Sequence, residues 1–348
     1  MTVLLALSTV LAWGLWIPVA QIVPGVPQRS RTFYATLGNT VFAAIALVVG
    51  GGHLSFGWKP FWLPFAGGVV WTAGNYTAFR ASENIGLARA SGTWTPLNII
   101  TAFVWGALLF GELEGLSAPR FVVLGAGLIL VLAGVFFIVR SQDEAAHPSV
   151  AAAPAVTVTA PGGAASSAGA SSAAVPAAAE LTVAGPTVAL SCASGGPTSV
   201  SLVASSRHRR GLLFAGAAGL LWGSYFVPAQ WAKVPAQIGN FPLALGIVVA
   251  GTALVMTEGG PARLTPRGTG VQLGAGLLFG VGNVSLLALV ARVGTGVGFT
   301  IAQLSLLVNV SVGIFVFKVP KPGSHAARIA LIGIMLAGIG GVAIGALK

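Results

Sequence analysis

Apolar positions in this chain gather into long runs separated by short polar connections, with one long interruption near the middle. The runs fall at about 2–23, 33–51, 61–80, 85–110 and 118–140, then at 211–232, 239–257, 270–291, 294–317 and 325–347. A helix rises 1.5 Å per residue, so runs of about 20 residues match a hydrocarbon core of roughly 30 Å. The pattern predicts an all-α integral membrane protein with ten transmembrane helices in two sets of five. The first run, MTVLLALSTVLAWGLWIPVAQIV, lacks a basic leading region and carries Trp13, Trp16 and Gln21. It therefore reads as a membrane helix rather than a cleaved signal.

The two sets repeat one design. Gly74-Asn75 recurs as Gly282-Asn283, Ile85-Gly86 as Val293-Gly294, and Trp13-Gly14 as Trp222-Gly223. Gln21 falls on Gln230, Arg120 on Arg328 and Gly125 on Gly333. Five crossings per unit is an odd number, so the second unit starts on the opposite face of the bilayer. The expected architecture is two inverted repeats, 1–140 and 211–348, a plan that places a solute site between them near mid-membrane. Residues 141–210 are rich in Ala, Ser, Pro, Gly and Thr without an apolar helical face, which predicts a disordered linker.

Composition agrees with a membrane setting: 55% of residues are hydrophobic and 7% charged. The net charge of +11 would point to nucleic acid in a soluble protein. Here the Lys and Arg sit at the ends of apolar runs, so nucleic acid is set aside as a partner. Arg29, Arg31, Arg140, Arg207, Arg209, Arg210, Arg263 and Arg267 share one face with the linker, which the positive-inside rule puts in the cytoplasm with both termini outside. The sole cysteine is Cys192, and His53, His147, His208 and His325 fall in predicted loops. No metal site or other cofactor is expected, and the chain does not read as an enzyme.

Polar side chains within the runs are the candidate chemistry, because an unsatisfied amide in hydrocarbon is costly and faces the bundle interior. Trp71, Asn75 and Phe79 follow helical spacing on one face, as do Trp94, Asn98, Thr101 and Trp105. The repeat adds Phe279, Asn283, Phe299 and Gln303. Trp13, Trp16, Trp222 and Tyr225 are placed along the path, and Pro96 between Trp94 and Asn98 is expected to shape it. Amides match hydroxyl groups, and indole faces suit the C–H face of a pyranose. With no carboxylate in mid-helix, the lining favours a neutral polyhydroxy solute over a cation. Packing between helices is the other use of such amides.

These residues resemble the glucose/ribose porters, bacterial sugar-uptake permeases of the drug/metabolite transporter superfamily. The likeness lies in LAWGLWIP of the first helix, in Gly74-Asn75, Ile85-Gly86 and Gly111-Glu112, and in Gly280 to Asn283, Val293-Gly294 and Gln303. Two positions depart from that family's pattern: Lys318-Val319 stand where a second Gly-Glu pair is common, and Asn98 stands where Gln is frequent. The resemblance implies uptake of a sugar such as glucose or ribose, or of a polyol, by alternating access in the cell membrane. A metabolite or drug exporter of the same superfamily is the alternative. The small-molecule solute and the bilayer are the expected partners, with a homodimer allowed. Proton coupling is also implied by the resemblance, with Glu83 and Glu112 as carriers; facilitated diffusion stays open.

Overall fold

The computed structural model of the chain describes residues 1–146 and 198–347. The chain divides into two units, Met1–Pro148 with Ser205–Lys348, and Ser149–Ala204. Of the second unit, residues 198–204 are described, and they are helical. The candidate membrane spans lie in the first.

Helices α1 (Thr2–Gln21), α2 (Gln28–Val49), α3 (Leu63–Ile85), α4 (Leu87–Leu108) and α5 (Ala118–Ala146) make the first half of the order. A π-helical turn at Trp58–Trp62 leads into α3. The second half holds α6 (Thr198–Trp222), α7 (Val227–Trp231), α8 (Ala236–Thr257), α9 (Pro266–Val293), α10 (Thr295–Gln303), α11 (Ser305–Phe315) and α12 (His325–Gly345). Among the described residues, 8 helical spans are long and apolar enough to cross a bilayer, counting α6 with α7 and α10 with α11 as single spans. The chain is an all-α, multi-pass membrane protein. Helices α3 and α4 have comparable lengths of 23 and 22 residues. Their hydropathy is lowered by Asn75, Arg80 and Glu83 in one and by Arg89 and Asn98 in the other.

Element ends differ from the apolar runs at several points. Helix α5 continues past Arg140 to Ala146, and α6 begins at Thr198, so helix extends into both flanks of the linker predicted over 141–210. The remainder of that segment, with Cys192 and His147, lies outside the described residues. Two runs read as single helices are interrupted. The chain turns at residues 223–226 before α7, where Pro228 in the first turn of α7 supplies no N–H and restarts the helix. A second interruption falls at Leu304, where the bonds Leu304 N–H to Ile301 O and Leu307 N–H to Leu304 O tighten to i→i+3 spacing.

The distribution of side chains is that of a protein solvated by lipid. Large apolar residues lie outside in helical rows, such as Ile332, Met335, Ile339 and Val342 on α12 and Val122, Ile129 and Phe136 on α5. The inner faces carry small residues that let backbones meet, the usual basis of helix association in membranes. A Cβ at Gly68 of α3 would strike the Leu243 carbonyl and the Ile247 amide of α8, and one at Gly246 of α8 would strike the Phe65 carbonyl. The same arrangement recurs between α2 and α9. There Gly276 meets the Ala35 carbonyl and the Asn39 amide, and Gly38 meets the Leu273 carbonyl. Gly14 packs on Ser305 and Val308 of α11, and Gly223 packs on Asn98 and Thr101 of α4. Helices α5 and α12 cross at Gly127 and Gly134 against Gly340 and Gly333.

Because the obstructing atoms at Gly68 and Gly276 are backbone, a branched side chain cannot be accommodated by a rotamer change. Gly68→Val and Gly276→Val are expected to lower the melting temperature of the purified protein in detergent by several degrees. Overpacking of this kind costs about 1–3 kcal/mol. A Cβ at Gly274 meets nothing, so Gly274→Ala should be neutral or stabilising, since Ala is the better helix former.

Candidate functional site

The inward face of α9 carries Phe279 and, one turn later, Asn283, both buried. Phe279 lies at the centre of an aromatic cluster. Its ring centroid is 5.0 Å from Trp71, 5.2 Å from Trp16 and 6.5 Å from Trp13. Trp13 also meets Phe299 edge-on at 6.4 Å, and Phe299 stacks on Phe226 at 4.8 Å. Four helices, α1, α3, α9 and α10, and the turn before α7 thus supply one aromatic wall.

The glycines explain why the indoles fit. Trp13 lies over Gly282 and Trp222 over Gly74, each so close that a Cβ would collide with the ring. Trp222 Nε1 donates to the Trp71 carbonyl at 3.2 Å, and its ring meets Trp94 edge-on at 5.5 Å. Trp94 therefore joins the cluster through Trp222.

Beside the aromatic wall runs a chain of polar groups. Tyr225 Oη donates to Asn283 Oδ1 at 3.4 Å, and Asn283 Nδ2 donates to Asn39 Oδ1 at 3.5 Å. Both contacts are at the outer limit of a hydrogen bond. Asn39, in the middle of α2, is fully buried, and its Nδ2 has no protein partner. Trp13 Nε1 is likewise buried and without a protein partner.

Of the site residues predicted from sequence, Trp13, Trp16, Trp71, Trp222, Tyr225 and Asn283 are brought together, with Trp94 at the edge. Asn75 is half-buried one turn after Trp71, and Gln303 is half-buried where α10 ends at the Leu304 break. No hydrogen bond among the described residues ties either to the cluster. Asn98 is buried on α4 with its Oδ1 unpartnered, and its carbonyl packs against Gly223. Asn39 was missed. It is a single amide in the apolar run 33–51, a signal the same reasoning accepts, but the repeat offers no amide at the matching contact. There Ile247 meets Gly68 as Asn39 meets Gly276.

The two carboxylates expected to carry protons have unlike settings. Glu83 lies exposed at the end of α3, paired with Arg80 at 3.2 Å, away from the cluster. Glu112 reaches across to the N-terminus of α10, where its carboxylate accepts from the Thr295 amide and, at 3.0 Å, from the Gly296 amide. A helix N-terminus carries unpaired N–H groups and partial positive charge, so it suits an anion. Thr295 Oγ1 donates in turn to Gln230 Oε1 at 2.6 Å, joining the ends of α4 and α7 to the start of α10. A cavity of about 110 Å³ lies against Glu112, lined mainly by Phe103, Leu116, Leu124, Val297 and Leu347, with Arg120.

Lys318-Val319 repeat the backbone of that corner without its chemistry. Lys318 has φ +58° where Gly111 has +62°. The Val319 amide bonds to the Gly313 carbonyl as the Glu112 amide bonds to that of Gly106. Val319 brings no acceptor, and the N-terminus of α4 after Gly86 has no side-chain cap.

The chain has relatives among known proteins. A family model described as sugar transport protein matches residues 4–162 and 189–347. A protein of Listeria innocua named for sugar uptake is 24% identical over 349 residues, covering 100% of this chain and 99% of its own length. One of Enterococcus faecalis named for ribose uptake is 30% identical over 145 residues, 41% of this chain and 48% of that one. A solved crystal structure of a protein superposes with a TM-score of 0.59 at 18% identity, covering 100% of this chain and 99% of the other, which is a likeness of fold. Aromatic and amide lining, many membrane crossings and the match over most of the length agree: the chain belongs to the sugar transport protein family, whose members carry solutes rather than catalyse reactions, and it resides in the cell membrane as a multi-pass protein.

Proposed function

We propose that the chain is a secondary transporter that takes up a neutral sugar or polyol by alternating access, and that its ten crossings form two inverted five-helix repeats, 1–140 and 211–348, around the site. The observation that carries the solute assignment is the pairing on one turn of α9 of Phe279, ringed by Trp13, Trp16 and Trp71, with Asn283 in its polar chain. A pyranose or furanose presents an apolar C–H surface and an edge of hydroxyls, and such a pair of walls matches both. Relatives named for sugar and ribose uptake support the same solute class.

Support for the inverted repeats comes from contacts that exchange partners between the halves. Gly68 with Leu243 answers to Gly276 with Ala35, Gly246 with Phe65 to Gly38 with Leu273, and Gly74 under Trp222 to Gly282 under Trp13. In this arrangement α3 and α4 also cross the bilayer, with Val69, Ile100, Val104 and Leu108 turned outward to lipid. Asn98 is then tolerated because it is buried among protein, while Arg80, Glu83 and Arg89 stand at the helix ends.

Proton coupling is assigned to Glu112, which sits at a helix junction with a cavity on one side. One proton moving down 100 mV provides about 2.3 kcal/mol, enough for roughly 40-fold accumulation of a neutral solute.

Reconstitution tests these assignments. In proteoliposomes, counterflow of D-ribose or D-glucose is expected, with hydrophobic cations and amino acids inactive; flux of those solutes instead would make the chain an exporter of the alternative kind. Phe279→Ala and Asn283→Ala are expected to lower sugar flux more than tenfold. Asn98→Ala and Gln303→Ala should lower it by smaller factors, and unchanged flux in both would confine the site to the α9 wall. Glu112→Gln should retain counterflow while losing accumulation driven by an imposed pH gradient. Full accumulation by that variant would leave Glu112 as a helix clasp alone.

A further inference from the structure

The two matched helix sets at the site, α1, α2 and α9 forming one wall and α3, α6 and α8 the other, differ at two corresponding donor positions. Trp222, the counterpart of Trp13, spends its indole N–H on the Trp71 carbonyl. Ile247 occupies the contact that Asn39 occupies in the other wall. On that wall both donor positions are closed, one by a hydrogen bond and one by an alkyl side chain. On the wall of α1, α2 and α9 both are open: Trp13 Nε1 and Asn39 Nδ2 are buried without a protein partner. They meet adjacent residues of α9, since the Trp13 indole lies over Gly282 and Asn39 is bonded to Asn283.

The orientation of the amides leaves one end of the polar chain free. Tyr225 donates to Asn283, and Asn283 donates to the Asn39 oxygen, so the chain terminates in the Asn39 NH2 group. In a membrane interior such a group finds its partner in protein, an ordered water or a ligand. The demand is for an oxygen lone pair. An ammonium group has none to offer, and neither Glu83, paired with Arg80, nor Glu112, bound to the start of α10, lies in this polar chain to attract one.

We propose that Asn39 Nδ2 and Trp13 Nε1 form a donor subsite that binds an oxygen of the transported solute, a hydroxyl or ring oxygen of a sugar, and so fixes which way round the solute lies between the unequal walls. This rests on the sugar or polyol reading of the site. Asn39 thereby becomes a specificity-determining residue, and the solute's C–H face is turned toward Phe279 and Trp71.

The test is titration calorimetry of the purified protein with D-ribose, D-glucose and their monodeoxy analogues. For wild type, at least one deoxy analogue should bind about tenfold or more weakly than its parent, because a site built to bond a hydroxyl rejects the analogue that lacks it. Asn39→Leu should bind parent and that analogue with equal affinity. Trp13→Phe, which keeps the ring over Gly282, should erase discrimination at the same or an adjacent hydroxyl, and it serves as the decisive variant if Asn39→Leu fails to give a monodisperse protein with a cooperative melt. Retention of the parent-to-deoxy ratio in the folded variants, or an equal loss for both ligands, would overturn the subsite and leave the transporter assignment standing. Failure of wild type to bind any of the sugars would instead remove the sugar reading, and the subsite with it.

Discussion

Close contact of backbone with backbone, between α2 and α9 and between α3 and α8, is the constraint on which the rest of the interior depends. In lipid no hydrophobic force presses one apolar helix against another, so association depends on packing at short range and on polar contacts between helices. Gly38 with Gly276 and Gly68 with Gly246 allow that approach by having no side chain. Their removal of bulk brings the inner faces near enough for indoles from α1 and α6 to close on Gly282 and Gly74. The aromatic cluster around Phe279 is a consequence of this spacing. So is the meeting of Asn39, Asn283 and Tyr225, which come from three separate parts of the chain.

The same physics accounts for where polar groups are found. Tyr225, Asn283 and Asn39 satisfy one another in part, Gln272 donates to the Ala20 carbonyl, and Thr72 donates to the carbonyls of Gly68 and Ile247. Arg31 binds the carbonyls of Ala20, Val23 and Val26 at the end of α1. An arginine in the first turn of α2 thus caps the end of α1. Helix interruptions fall beside the site, at 223–226 and at Leu304, where irregular backbone faces protein rather than lipid.

Much of this was legible in the residues. Hydropathy marked eight of the ten expected spans among the described residues because hydrocarbon enforces it, and Trp13, Trp71, Trp222 and Asn283 could be named since costly groups in oily runs require a reason to be there. Reasoning from the repeat was both help and hindrance. It led from Asn75 to Asn283, yet it passed over Asn39, whose matching position is Ile247. Pro228 announced a break in its apolar run, found at 223–226, whereas the one at Leu304 was not visible, because hydropathy is blind to hydrogen-bond register. The capping of α10 by Glu112 joins residues far apart in sequence, and no local pattern announces such a contact. In Glu83, by contrast, proximity in sequence suggested a role in the site that its exposure and its pairing with Arg80 do not support.

The corner at Gly111-Glu112 and its copy at Lys318-Val319, which lacks the carboxylate, have a mechanical meaning. Parting α4 from α10 strands a carboxylate and two backbone amides that had satisfied one another, whereas Val319 contributes no comparable clasp at the copied corner. Under the alternating-access reading proposed above, the first corner is held by contacts to a carboxylate, and the second lacks them. Two corners built on one backbone plan are thus fastened with unlike strength, through the absence of a single carboxylate.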